Sequence, residues 1–478
     1  MIKLLKTKST PIEGQPILHA TSKQRIRKLV NRFRSGFLQE PREKLFDALP
    51  AAELERAVLE EVGNWRERLY SPLVTLRLFI EQVLHVDPAC QDVVVRYASE
   101  RVAQGEPLVG LSTGPYCKAR QRLPVKLLVR LCRLIGRRLE ESAPQAWRWR
   151  GRRLLLVDGA TVTMPDTQEN QAQYPQSRSQ KPGVGFPIAR LVVLISLGSG
   201  VLLDWAMAAC KGKKTGEDTL FRQLYGSLNP DDIVLVDRYH SSYFTLAQLR
   251  AKGVDMVSRQ HAGRTTDFRR GQRLGKHDHL VIWKRPERPD WMEPDAYEHI
   301  PEEMTVREAK VGKWVIVSTL TNSAQVSKVE LNALYVQRWH VELDLRSIKS
   351  VMGMDILRCK SPDMVHKEVS AFFLAYNLIR AVMAQAAACA KVLPRQLSFS
   401  GAKRVVNSLL DMIRGDATQK FNGMFATLRA AVASLRLPWR PQRVEPRAVK
   451  RRPKPHRLLN ESRDIARAKI LRTRPRFA

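Results

Sequence analysis

The sequence predicts an α/β protein in which a sheet-forming middle lies between helical ends, and three observations predict it. Between residues 46 and 148 apolar residues recur at helical spacing, as in Leu73, Leu76, Leu78, Ile80 and Leu84 and again in Leu127, Leu128, Leu131 and Ile135. From 150 onward short runs rich in Val, Ile and Leu alternate with polar segments, which is the pattern of buried strands. After Ser361-Pro362 helical patterning returns with Phe372, Phe373, Tyr376 and Ile379. A chain of 478 residues that is 44% hydrophobic can bury a sizeable core. Chain-wide disorder is excluded, and the length suits about two to four structural units.

Taken in order, residues 1–45 form a basic arm; the first 34 carry nine Lys and Arg against Glu13 alone. Residues 46–148 form the helical block. Within it Ser112 to Pro124 opens a basic helix after the Gly114-Pro115 turn, and both a recognition helix and an ordinary solvated helix fit that pattern. Residues 150–260 hold the first strand candidates: Leu154 to Val157, Leu191 to Leu197, Val201 to Ala206 and Ile233 to Val236. Residues 261–311 are polar, broken by Gly, Pro, His and Trp, and read as an insertion before the next strand, Trp314 to Leu320. Residues 312–375 resume the sheet unit, 376–439 are helical and a candidate dimerisation region, and 440–478 form a proline-rich basic tail. The tail suits a phosphate-tracking arm or a solubilising extension. No internal repeat is present.

With 81 Lys and Arg against 47 Asp and Glu, the net charge is +34. Such a field attracts polyanions, so nucleic acid is the first partner to consider and an anionic membrane surface the rival. The most apolar run, Leu191 to Leu203, is broken by Gly198-Ser199-Gly200 and is shorter than the roughly 20 residues of a spanning helix. It reads as a β-hairpin. The start of the chain has no secretory pattern, so a cytoplasmic location is expected. The six cysteines are scattered, without a C-x-x-C pair, and read as buried or incidental thiols.

Two aspartates occupy equivalent places. Leu154 to Val157 runs into Asp158-Gly159, and Ile233 to Val236 runs into Asp237-Arg238. A carboxylate ending a buried strand before a turn is held rigidly where ligands bind, although Asp is also a common turn residue. A third acid, Glu342, lies in a segment that reads as one helix, Tyr335 to Lys349. There Tyr335, Arg338, Glu342 and Lys349 are spaced by three, four and seven residues and share one face. A solvated face with i,i+4 ion pairs fits the same spacing. Three carboxylates brought together would repel unless a divalent cation neutralised them, and an oxygen-only donor set suits Mg²⁺.

At these residues the sequence resembles the DDE transposases of bacterial insertion sequences, in the insertion-sequence-four group with its Tyr-x2-Arg-x3-Glu-x6-Lys signature. Here the signature is Tyr335, Arg338, Glu342 and Lys349. Val157 to Thr167 and Val236 to Tyr239 resemble the group's first and second acidic motifs, with Ala160 where members often carry Thr or Ser. The resemblance covers about 150 to 375. It implies an RNase H-like catalytic core with a β-rich insertion; the helical region before it, expected to bind the DNA ends, and the helical region with a basic tail after it are read from the chain's own pattern and carry no motif of the family.

It further implies Asp158, Asp237 and Glu342 as catalytic, metal-binding acids for two Mg²⁺ ions, with Mn²⁺ able to substitute. Tyr335, Arg338 and Lys349 would contact DNA phosphates, with Arg238 and Arg346 as further DNA contacts. Trp314 resembles the family's tryptophan that stacks on a flipped base; it also suits a core or edge-strand aromatic. Three lesser features stay open. The loop from Asn170 to Phe186 suits ordering on DNA or ordinary mobility, Lys211, Lys213 and Lys214 could touch phosphate, and His277-Asp278-His279 offers a weak metal pattern.

The implied activity is cut-and-paste transposition by in-line phosphoryl transfer at terminal inverted repeats, through hairpin ends, by a homodimer in a synaptic complex that also takes target double-stranded DNA. The setting is the bacterial cytoplasm, at the nucleoid, with no membrane partner. A metal-dependent endonuclease without strand transfer and a non-catalytic DNA-binding repressor are the alternatives.

Overall fold

Nine strands join into one mixed sheet in the computed structural model, which describes residues 26–27, 30–31, 49–63, 65–66, 68–85, 88–415, 424–438 and 459–473. Most of the basic arm and much of the tail lie outside the described residues. The strands are β1 (Leu154–Thr163), β2 (Ile188–Ser196), β3 (Leu202–Ala209), β4 (Ile233–Leu235), β5 (Asp255–Arg259), β6 (Gln272–Gly275), β7 (Asp278–Lys284), β8 (Glu303–Val311) and β9 (Trp314–Ser318). Their order across the sheet is β3-β2-β1-β4-β5-β9-β8-β7-β6. β1, β4 and β5 run parallel. β2 and β3 form the antiparallel hairpin expected around Gly198-Ser199-Gly200.

Residues 261–311 contribute β6, β7 and β8, which extend the sheet through β9 onto β5. One core strand escaped the sequence reading, which took Trp314 to Leu320 as the strand following Ile233 to Val236. β5 comes between them. Only Met256 and Val257 of β5 are apolar, and Ser258 is fully buried in it, so the segment lacks the apolar run by which the other strands were recognised.

Before the sheet come α1 (Ala51–Val62), α2 (Pro72–Leu84), α3 (Cys90–Ala103), α4 (Gly114–Arg122) and α5 (Val125–Glu141). α5 buries Leu127, Leu128, Leu131 and Ile135, the residues whose spacing predicted it. At Gly136 it approaches β3 so closely that a Cβ would stand 2.8 Å from the Leu202 carbonyl oxygen. α4 is the basic helix foreseen after the Gly114-Pro115 turn. It turns Tyr116, Ala119 and Arg120 inward and leaves Lys118, Gln121 and Arg122 outside.

Between the strands lie α6 (Gln168–Gln173), α7 (Glu217–Gln223), α8 (Tyr243–Ala251) and α9 (Pro294–Glu298). Beyond β9 follow α10 (Lys328–Gln337), α11 (His340–Arg346), a π turn at Ser347–Val351 and α12 (Pro362–Cys389). α13 (Phe399–Gly415), α14 (Met424–Ser434) and α15 (Arg463–Thr473) complete the described elements.

α12 is the central helix. It packs on α5, α2 and α14, and Asn377 bridges it to α5 and to β3, donating to the Cys132 and Leu202 carbonyls and accepting from the Leu202 N–H. Burying each of Phe372, Phe373 and Ile379 stabilises by about 1.5–3 kcal/mol. By length and composition α12, and not the Leu191 to Leu203 run, could cross a membrane. Its surface is instead covered by the rest of the chain, with 83% of its most apolar window buried.

Candidate active site

Parallel pairing of β1 with β4 ends at Leu156 opposite Leu235. Two residues beyond each stands an aspartate, Asp158 and Asp237. Side chains alternate along a strand, so both acids lie on the face shared by Leu156 and Leu235, on neighbouring strands about 4.8 Å apart. The sequence suggested that each acid ends its strand. Asp237 does, capping a short 3₁₀ turn and accepting the Arg238 N–H at 2.6 Å. Asp158 does not: β1 continues to Thr163 because it stays paired with β2 after β4 has ended. The place β4 vacates leaves the Asp158 side chain 23% exposed, and its Oδ1 accepts the Gly159 N–H at 2.8 Å.

The third acid arrives on a broken helix. Tyr335 to Lys349 was expected to be one uniform helix, but α10 ends at Gln337 and the turn tightens there. Arg338, Trp339, Val341 and Glu342 each donate their N–H three residues back. Beyond α11 the turns widen into the π turn that carries Lys349. This irregular path still brings Arg338 and Glu342 together, with Nη2 at 3.0 Å from Oε1. Arg338 Nη1 lies 3.6 Å from Asp158 Oδ2, so the guanidinium stands between the first and third acids. The Tyr335 hydroxyl stands close enough to feel the opposing charges of Arg338 and Asp237.

The electrostatics follow from this crowding. Burial, above all, pushes the Asp158 carboxyl up to about 6, and the charges of Glu342 and Asp237 add to the rise while the Gly159 N–H and Arg338 oppose it. Burial likewise raises the Tyr335 hydroxyl. Among the described residues no three ligand-type side chains are grouped closely enough to hold a metal ion as they stand. The donor chemistry nevertheless fits one: three carboxylates whose charges reach one another, one of them reluctant to ionise, with a guanidinium as the present counter-charge of Asp158 and Glu342. The buried Arg338 Nε has no hydrogen-bond partner, so that cation is incompletely satisfied where it sits.

The remaining candidates sit around this cluster. Trp314 opens β9, is 39% exposed, and lies under the Arg259 guanidinium at 3.0 Å. Arg259 ends β5 and its charge also reaches Tyr335, so it links Trp314 to the cluster. Sequence reading missed Arg259 because it missed β5. Arg238, Arg346 and Lys349 make no ion pair among the described residues, and Arg238 and Arg346 are exposed. Lys349, expected on the same face as the rest of the signature, is carried beyond the π turn and touches none of the three acids. His279 is buried, bonded to the Arg270 carbonyl and to Glu308, and belongs to the β7 packing.

Comparison with known proteins adds relatives to this geometry. The family model described as "Transposase DDE domain" matches residues 149–378, a span containing all three acids. The transposase InsG for insertion sequence element IS4 of Escherichia coli (strain K12) is 29% identical over 346 residues, covering 70% of this chain and 76% of that one. A second transposase of the same organism, InsZ, is 31% identical over 106 residues, 22% of this chain and 34% of its own. A piggyBac transposase solved as a synaptic complex with hairpin DNA is similar over 87% of both chains, at 11% identity and a TM-score of 0.42. Residues 149–378 thus match a transposase DDE domain, and over 70% of its length the chain is similar to the transposase of insertion sequence IS4, which supports a DDE transposase of the insertion-sequence-four group.

Proposed function

We propose that the chain is a cut-and-paste transposase that acts at the terminal inverted repeats of its own element, with Asp158, Asp237 and Glu342 as its catalytic acids. The observation that carries this reading is the register of β1 and β4, which sets two aspartates side by side and opens a gap that the Arg338–Glu342 pair faces. The strand order β3-β2-β1-β4-β5, parallel from β1 onward, supports an RNase H-like core over 150–260 and 312–375, with 261–311 as its insertion.

The three acids would hold two divalent ions, Mg²⁺ or Mn²⁺. When bound, such ions activate a water or a 3′-hydroxyl and stabilise the leaving oxygen of an in-line displacement at phosphorus. The chain's own residues orient the strand. Arg338, released from the acids, offers a fork to a phosphate, Tyr335 beside it offers its hydroxyl to the same backbone, and Lys349, Arg238 and Arg346 supply further positive charge along the DNA. Trp314, braced by Arg259, offers a flat face to an unstacked base. Water attack at each end frees a 3′-hydroxyl, which attacks the opposite strand to close a hairpin. A second water opens it, and the freed hydroxyl joins target DNA.

The 46–148 helices, with Lys118, Gln121 and Arg122 on the outer side of α4, are the proposed end-binding domain. A homodimer would bring both ends together, and 376–439 is its candidate interface. The setting is the bacterial cytoplasm, at the nucleoid. The test is a supercoiled plasmid carrying the gene with its native flanks, incubated in Mg²⁺ with the wild type or with Glu342→Gln. Excised and joined products from the wild type alone are expected. Nicking without joining identifies an endonuclease, and binding with no cleavage by either protein, on verified ends, identifies a DNA-binding repressor.

A further inference from the structure

α11 is seven residues long, entered through a tightened turn and left through a π turn, so helix continuity does not fix its rotation. Something else must aim Glu342. Two residues on, about 200° around the helix, Asp344 faces the opposite way and is 1% exposed. Two guanidiniums grip it. Arg395 donates from Nη1 and Nη2 to its two oxygens at 3.1 and 2.8 Å, and Arg380 donates from Nη2 to Oδ1.

Both arginines are anchored to the sheet. Arg395 also donates to the carbonyls of Ser196 and Leu197 at the end of β2. Ser196 pairs with Leu155 of β1, and the Leu197 N–H bonds the Leu154 carbonyl, so this anchor lies directly beside the strand that carries Asp158. Arg380 Nε bonds the Tyr376 hydroxyl, which donates to the Gly200 carbonyl at 2.7 Å. Gly200 has φ +74°, and a Cβ there would stand 2.8 Å from the Arg380 guanidinium carbon, so the β2–β3 turn must carry glycine for the arginine to pass.

We propose that Asp344, clamped by Arg380 and Arg395, is the positioning residue that sets the rotation of α11 and thereby the reach of Glu342 toward Asp158 and Asp237. This rests on the reading of Glu342 as the third catalytic acid. Groups that orient a metal ligand from behind are worth about 10–100-fold in metal affinity or activity. Asp344 acts through Glu342 and touches neither metal nor DNA.

The experiment measures Mn²⁺ binding by electron paramagnetic resonance and cleavage of end DNA by the full-length wild type, Asp344→Asn, Arg395→Lys, Glu342→Gln and Asp344→Asn/Glu342→Gln, alongside thermal unfolding. Expected for Asp344→Asn is a loss of about 10–100-fold in Mn²⁺ affinity and in kcat, with KM for end DNA unchanged. Arg395→Lys, which keeps the charge and loses the fork, falls between it and the wild type. In the Glu342→Gln background Asp344→Asn adds no further loss of Mn²⁺ affinity, which a general packing role would not produce.

Wild-type affinity and rate in a folded Asp344→Asn overturn the proposal, as does a loss that adds fully to that of Glu342→Gln. If Asp344→Asn does not fold, Arg395→Lys decides by the same two readouts. Glu342→Gln separates the two ideas. Wild-type Mn²⁺ binding and cleavage there sink the parent reading, whereas loss there with none at Asp344 sinks only the clamp.

Discussion

One short helix carries two arginine–carboxylate clusters on opposite faces, and they are built differently. Around Asp344 the carboxylate and the Arg380 guanidinium are buried, and the partly buried Arg395 is bonded fork to fork. Around Glu342 one guanidinium is shared between two carboxylates, at 3.0 and 3.6 Å, and Glu342 is 36% exposed. The first arrangement cannot exchange partners without stranding a buried charge. The second is close enough to neutralise its acids and loose enough to let go, which suits a residue meant to meet a phosphate. Fixed charge on the inner face and exchangeable charge on the outer one separate holding the site from operating it.

The largest effect that would break this contrast lies on the outer face. Asp158→Asn, Asp237→Asn or Glu342→Gln should lower end cleavage by at least about a thousandfold, the loss of several kcal/mol of transition-state charge stabilisation. The same changes should leave thermal stability unchanged or higher, since each relieves repulsion among the acids. A plasmid cleavage assay beside a melting curve measures both. Destabilised variants would mean that the outer acids also hold the fold.

Next in size is the inner face, where Asp344→Asn strands the buried Arg380 guanidinium and the partly buried one of Arg395. Such a break costs about 3–5 kcal/mol. Arg338→Gln, on the outer face, should change stability by within ~1 kcal/mol, because the acids it pairs with are partly open to water. Urea unfolding of both variants sharpens the comparison, and equal losses would erase it.

Arg338→Gln should also bind Mn²⁺ more tightly than the wild type when no DNA is present, since the metal no longer competes with a guanidinium for Asp158 and Glu342. In the wild type, Mn²⁺ must displace the proton that burial holds on Asp158, so affinity should fall as pH drops through about 6. The sign for metal-free stability is opposite. A carboxyl raised above its ordinary 3.8 contributes stability that is full below that value and is lost as pH rises through about 6. Titrations of Mn²⁺ binding and of melting temperature between pH 4 and 8 read both slopes, and parallel slopes would remove Asp158 as the responsible group.

The outer face was legible in the sequence and the inner one was not, for a physical reason. Asp158, Asp237, Arg338 and Glu342 follow short apolar runs or sit at helical intervals, so local periodicity and a short signature bring them to notice. Asp344 meets Arg380 and Arg395 across 36 and 51 residues, and no local pattern records which distant arginine a buried acid will find. β5 was missed because its buried face includes Ser258, and Arg259 was lost with it. The tightened turn at Arg338 and the π turn at Lys349 preserve sequence spacing while changing rotation, so spacing overstated how closely Lys349 follows the other three.

That displacement of Lys349 yields the smallest prediction. If Lys349 stands apart from the acids and meets DNA only as a point charge, Lys349→Ala should weaken binding to end DNA and to unrelated duplex alike. It should also reduce the slope of log K against log salt by about 0.9, the release of one counterion. Metal affinity should not move, because among the described residues the lysine has no ion-pair partner to release. Arg338→Gln should differ on that last count while losing a similar salt slope. Binding isotherms at several salt concentrations, on both DNAs, distinguish the two. A Lys349→Ala protein with altered Mn²⁺ affinity would bring the lysine back into the cluster and make the π turn a feature that closes when DNA arrives.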